Sequence, residues 1–194
     1  MKKSVAAALA MLAIAGVAPS VNAAEGDLLL RLRAISISPD ASSDIAGLDV
    51  DDKATGEIGL TYFLRPQWAL DVGITTAEHD ITLSGAKIGS TTILPINITA
   101  QYHFAPNGKF RPYVGAGVNY TSFSDTNILG GAVTLDSSSF GPVVQAGLDW
   151  AFADKWMLNV DLKKVWISTD ASGAASGGVD IDPLVYGIGI GYKF

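Results

Sequence analysis

Arg31 and Arg33, and Asp161 and Lys163, are charged residues set two apart, each within an apolar stretch. Glu57, Asp71, Gln101, Asp149 and Lys193 likewise fall on the polar parity of segments whose other parity is Leu, Ile, Val or aromatic. Side chains two residues apart share a face in a β-strand. The nine residues therefore gather on one set of strand faces with both signs interleaved, an arrangement that predicts mutual ion pairing in an enclosed space. Acid–base and nucleophilic chemistry have fewer candidates. The chain has two histidines and no cysteine. His79, between Glu78 and Asp80, has the right neighbours for a triad, but no serine is obviously paired with it, and a solvated position at the outer rim is the simpler reading. His103 falls on the charged parity near the other end of its segment. Asp49, Asp51 and Asp52 lack the ordered ligands and closing Glu of a calcium loop and read as a solvated, self-repelling loop. The chain is read as a non-enzyme, with no cofactor and no metal.

The elements that must position the charged set are strands. Alternating segments cover residues 27–38, 55–64, 68–82, 92–104, 111–123, 139–152, 156–168 and 184–194. The connections alternate long, short, long. The short ones, at 65–67, 105–110 and 153–155, are flanked by Phe63, Trp68, Phe104, Phe110, Trp150, Phe152 and Trp156, an aromatic girdle at one rim. Trp166, Phe123, Tyr120 and Phe140 are candidates for the opposite girdle, with a bulge expected near Lys164-Val165. Residues 124–137 read as a polar loop. The last segment sets Leu184, Tyr186, Ile188, Ile190, Tyr192 and Phe194 against Val185, Gly187, Gly189, Gly191 and Lys193. A greasy face on a terminal strand suits a closed barrel in lipid. A soluble eight-stranded barrel inverts the faces and leaves Leu, Ile, Tyr and Trp from every strand to be packed inside.

The N-terminal residues agree with export. Lys2 and Lys3 precede an apolar run to Val17 and the small-residue site Val21-Asn22-Ala23, which reads as a signal peptide over 1–23. One domain, an all-β, eight-stranded antiparallel transmembrane β-barrel, is expected over 24–194. Without the leader, 11 basic residues face 19 acidic ones, a net charge of about −8, and the absence of a basic patch argues against nucleic acid. The expected place is the outer membrane of a Gram-negative bacterium, among lipid and lipopolysaccharide, with Phe194 as the terminal insertion signal for the barrel-assembly machinery.

Several strings carry a resemblance. Leu94-Pro95 with residues 99–104, the run FRPYVGAGVNY at 110–120, WMLNVD at 156–161 and DIDPLVYGIGIGY at 180–192 resemble the OmpW family of outer-membrane proteins. The resemblance spans essentially the whole mature chain. It implies an eight-stranded barrel with a narrow, partly hydrophobic lumen and passive uptake of small hydrophobic molecules, released sideways through the wall. Pro95, Pro142 and Pro183 each lie about ten residues before the short-turn end of a strand, and proline cannot donate to a ladder. They mark either a lateral gate or strand starts where proline is tolerated. Ile93, Tyr113, Val143, Met157 and Val185 share the inward parity and are the candidate lining of a hydrophobic pocket above the charged plug. The competing reading is a structural or surface-interaction barrel with a plugged lumen, acting through its outer loops.

Overall fold

The computed structural model describes residues 23–43, 47–173 and 176–194; apart from Ala23, the expected leader lies outside them. Fourteen strands occur among the described residues: β1 (Leu28–Ser38), β2 (Ser42–Ser43), β3 (Leu48–Val50), β4 (Lys53–Phe63), β5 (Trp68–Thr75), β6 (Ala77–Leu83), β7 (Ala86–His103), β8 (Phe110–Ile128), β9 (Val133–Leu135), β10 (Ser138–Ala151), β11 (Trp156–Val165), β12 (Ser168–Gly173), β13 (Gly177–Asp180) and β14 (Leu184–Lys193). Eight of them form a closed antiparallel ring, β1-β4-β5-β7-β8-β10-β11-β14. The first and last members close it, with Arg33 opposite both Glu57 and Gly189. Closure leaves no unpaired edge, the condition for β structure in hydrocarbon.

The two-residue period divides lipid from lumen. Ile188 is 64% exposed on the outer face, whereas Arg33 on the adjacent strand is 3% exposed inside. Near the short turns the outer face carries edge-on aromatic ladders, Trp68–Tyr102–Phe104 and Trp156–Tyr192–Phe194, and a stacked Phe110–Trp150 pair. Two aromatics expected in girdles are instead inside. Phe63 is 2% exposed and packs 5.0 Å from the His103 ring, and Phe123 is 7% exposed in the upper core. Both stand on the inward parity of their strands, so proximity to a rim does not place a side chain on the lipid face. The upper outer face carries Tyr120, Phe140 and Trp166.

The ladder continues far beyond the lipid-facing band. β7 has 18 residues, about 60 Å of strand at about 3.3 Å per residue, against an apolar band about 25 Å tall. Segments expected as loops, together with β6 and the outer ends of β7 and β8, form a second tier in the order β3-β6-β7-β8-β9-β12-β13-β2. In that tier the faces invert. Ile81, Ile93, Ile128, Val133, Ala171 and Val179 point inward and are buried, while Glu78, Lys87, Asp125, Asp170 and Asp180 are exposed. Water replaces lipid outside, so the apolar parity turns to the core. β11 pairs regularly through Val165↔Val143. The irregularity expected at Lys164-Val165 falls just beyond it, at Trp166-Ile167, between β11 and β12.

Small residues let the closing strands coil tightly. A methyl group at Gly189 would meet the Leu32 carbonyl oxygen and the Arg33 Cα across the β1–β14 seam. Gly189→Ala is therefore expected to destabilise the folded barrel by about 1–3 kcal/mol, the range for overpacking. Urea unfolding in lipid vesicles measures this, and an unchanged midpoint would show that the seam relaxes freely.

Candidate functional site

The lumen is built in layers. At the short-turn end, Leu29, Phe63, Ala69 and Met157 form an apolar cluster. Met157 is completely buried there, so it lies below the charged residues and not in the pocket expected above them.

The next layer is charged. Antiparallel pairing gathers Arg31, Glu57, Asp71, Asp149 and Asp161 from five strands into one stretch of the lumen, each on the inward parity: Arg31 is opposite Gly59, Asp71 opposite Thr61 and Asp149 opposite Asn159. Arg31 binds Asp149 through two nitrogens, at 2.6 and 3.2 Å, and reaches Asp71 at 3.2 Å and the Thr61 hydroxyl. Arg33 donates to Glu57 at 2.6 Å and to Asn159 at 2.6 Å. Lys163 lies between Glu57, 2.9 Å away, and Asp161, 2.6 Å away. Gln145 donates to Asp161 at 2.7 Å, and Gln101 donates to Gln145 at 3.0 Å. All of these side chains are 4% exposed or less. Charges taken out of water are tolerable only when paired; here each charged group has an opposite partner, although Nη2 of Arg33 is buried without a hydrogen bond.

Two expected members of the site belong elsewhere. Tyr113, expected in the hydrophobic pocket, is part of the charged layer. Its hydroxyl donates to Asp161 at 2.6 Å, and the Arg31 guanidinium lies 5.2 Å from its ring centre. Lys193, expected in the plug, lies at the mouth and pairs with Asp27 at 2.8 Å. It is the final residue of the last strand, so its inward parity leads only to the rim. Asn159, Gln145, Asn97 and Asn119 are polar members of the lumen that charge spacing alone does not single out; inward parity does.

Above the charged layer the lumen opens twice. A narrow lower cavity, about 350 Å³ with its adjoining open space included, is bounded below by Glu57 and Lys163 and above by Ile93, with Val185, Pro95 and Pro183 in its wall. An upper cavity of about 760 Å³, its open mouth included, is walled by inward residues of the outer tier such as Ile81, Val133 and Ile181. Ile93 borders both. Val143, 1% exposed, belongs to the apolar core around them.

His79 lines the upper cavity and is 3% exposed, so it is not the solvated rim residue expected. Its sequence neighbours do not act on it as a triad would: Glu78 is exposed outside, and Asp80 pairs with Lys87 at 2.6 Å. Nδ1 of His79 lies 3.0 Å from the Asp51 carbonyl. Burial, aided by Lys53, holds its pKa below the ordinary histidine value.

Pro95 on β7, Pro142 on β10 and Pro183, which immediately precedes β14, mark separate interruptions of the wall. Pairing along β7 runs to Ile74↔Ile96 and resumes at Ala77↔Ile93, skipping Pro95. Beside Pro183, Asp182 adopts a φ of 35°, and its carboxylate accepts the Ile167 N–H at 3.0 Å. Beyond Val143↔Val165 the next paired residues are Leu135↔Ala171, so the β9–β10 side carries two extra residues. That stretch is held by Trp166 N–H to the Pro142 carbonyl and Ser168 N–H to the Ser139 hydroxyl, both at 3.1 Å. Pro95 and Pro183 are buried facing the lumen, whereas Pro142 is exposed on the outer face.

Comparison with known proteins places this architecture. The model of the OmpW family matches residues 24–194. The chain is 34% identical to outer membrane protein W of Vibrio cholerae, over 96% of this chain and 97% of that one. It is 30% identical to the dibenzothiophene metabolism operon protein PahQ of Pseudomonas aeruginosa, over 75% and 74%. Among solved structures, the outer membrane protein OprG of Pseudomonas aeruginosa superposes with a TM-score of 0.81 at 26% identity, covering 91% of this chain and 99% of that one.

Proposed function

Because the chain belongs to the OmpW family of outer-membrane barrels, we propose that it admits small hydrophobic molecules from outside and releases them sideways into the membrane. One observation carries the reading: below the lower cavity the lumen passes from apolar to charged and polar, and Pro95 and Pro183 interrupt the wall of that same cavity. An apolar solute gains by leaving water for the upper cavity. Below the lower cavity it would have to part the ion pairs around Glu57 and Lys163, which is costly in a low-dielectric interior. The cheaper exit is lateral, where Pro95, Pro142 and Pro183 weaken the ladders. The charged layer, Arg31, Arg33, Glu57, Asp71, Gln101, Asp149, Asp161 and Lys163, is the plug that excludes water and ions. The relative PahQ is named for a dibenzothiophene metabolism operon, which supports the same solute class. Phe194, exposed at the short-turn end with its N–H donated to Leu28 at 2.9 Å, is the proposed assembly signal.

The test is flux into vesicles whose outer leaflet is lipopolysaccharide, comparing a small apolar probe with a sugar of similar size. Protein-dependent entry of the apolar probe alone is expected. Entry of the sugar would refute the plug. Entry of neither would refute uptake and move function to the outer tier as a binding surface. Pro95→Ala combined with Pro183→Val restores two backbone amide donors in the wall of the lower cavity, and slower apolar entry is expected from it; unchanged entry would exclude these prolines as the gate.

A further inference from the structure

We propose that the upper cavity prefers apolar molecules bearing a hydroxyl group, with His79 as the residue that recognises it. This rests on the uptake reading above and narrows its solute class. In the wall of that cavity, among the described residues, the polar side-chain atoms buried without a hydrogen-bond partner are Nε2 of His79 and Oγ1 of Thr169. The third polar side chain there, Thr91, is satisfied by the Thr126 hydroxyl at 2.9 Å. An apolar chamber with unmet polar atoms at its wall is incomplete without a partner for them.

The tautomer of His79 says what that partner must be. Nδ1 faces the Asp51 carbonyl at 3.0 Å. A carbonyl oxygen only accepts, so Nδ1 carries the hydrogen, and the neutral ring then presents a lone pair at Nε2. The surroundings favour that neutral ring. Burial disfavours the cation most strongly, and Lys53 adds to this, outweighing the hydrogen bond to the Asp51 carbonyl and the pull of Asp80 and Asp51. The ligand must therefore bring a hydrogen-bond donor. A hydrocarbon or an ether brings none, and an ammonium group would lose its hydration among aliphatic walls. A neutral alcohol or phenol supplies the donor on an otherwise apolar body. Thr169, on β12, is separated from β6 by β7, β8 and β9 around the tier. Its hydroxyl gives or takes a hydrogen bond and offers a second point for longer molecules.

The experiment uses the full barrel in lipid nanodiscs, with isoleucine methyl groups and histidine nitrogens isotopically labelled. It is titrated with 1-octanol and with the methyl ether of 1-octanol, which accepts but cannot donate. The alcohol is expected to move the methyl signals of Ile81 and Ile128 at about tenfold lower concentration, the ratio for one net hydrogen bond, and to move the Nε2 resonance of His79. In His79→Phe the advantage of the alcohol over the ether disappears. The wild-type Nε2 signal decides the matter even if that variant folds poorly. Equal response to both compounds with Nε2 unmoved would overturn the hydroxyl preference and leave hydrophobic uptake standing. No movement of the isoleucine methyls by either compound would overturn both.

Discussion

Arg31→Met is expected to lower the unfolding free energy of the barrel by about 3–5 kcal/mol, the cost of leaving one side of a buried ion pair uncompensated. The substitution keeps most of the side-chain volume, so the loss is electrostatic. It strands Asp149, now without its two-nitrogen partner, and Asp71, both 2% exposed or less. It also removes the cation over the Tyr113 ring. Combining Arg31→Met with Asp71→Asn and Asp149→Asn removes the stranded charges and is expected to recover most of the stability, because a neutralised buried network costs far less than a half-removed one. Urea unfolding in vesicles, followed by tryptophan fluorescence, checks both. A single variant as stable as the parent would show that the layer is hydrated and not a paired network. The same single variant is expected to raise small-ion conductance, since two unmatched carboxylates draw water and cations into the layer.

Ile93→Trp is expected to cut apolar uptake far more than any change of similar size in the outer wall. Ile93 borders both the upper and the lower cavity, so an indole there fills the connection. If the added bulk raises the barrier to passage by the about 1–3 kcal/mol typical of overpacking, entry falls by about 5- to 150-fold. Ile93→Ala widens the same point and is expected to preserve or increase entry. Vesicle flux with the apolar probe measures both, and the folded fraction is checked by unfolding midpoint. Undiminished entry in Ile93→Trp would mean that solutes bypass this route.

The relatives and the solved barrels support the fold and the outer-membrane location as the alternation of residues predicts them. The charged layer was legible because Arg31, Glu57, Asp71 and Asp161 each break an apolar stretch on one parity, and parity is a local property of a strand. Lys193 and Tyr113 show the limit. Parity says inside, but depth along the lumen depends on register and tilt, which put Lys193 at the rim and the Tyr113 hydroxyl on Asp161. Phe63 and Phe123 make the same point in reverse, since nearness to a rim had to yield to parity.

The upper cavity was hidden for a different reason. Residues 124–137 look polar because their exposed parity is polar and their inward parity is short and interrupted by turns, and His79, flanked by Glu78 and Asp80 near the strand end, reads as solvated. The inversion of faces follows from where lipid ends, and no local pattern marks that height. Taken alone, the sequence determined the eight strands of the ring, the polarity of their faces in the lipid-facing band, closure, and the charged residues of the plug other than Lys193, because each follows from a two-residue period. The tertiary structure decided the depth of each inward residue, the second tier and its apolar chamber, and the unmet nitrogen of His79 within it. Those depend on which strands meet and at what register, and pairing joins residues as far apart as Arg33 and Gly189.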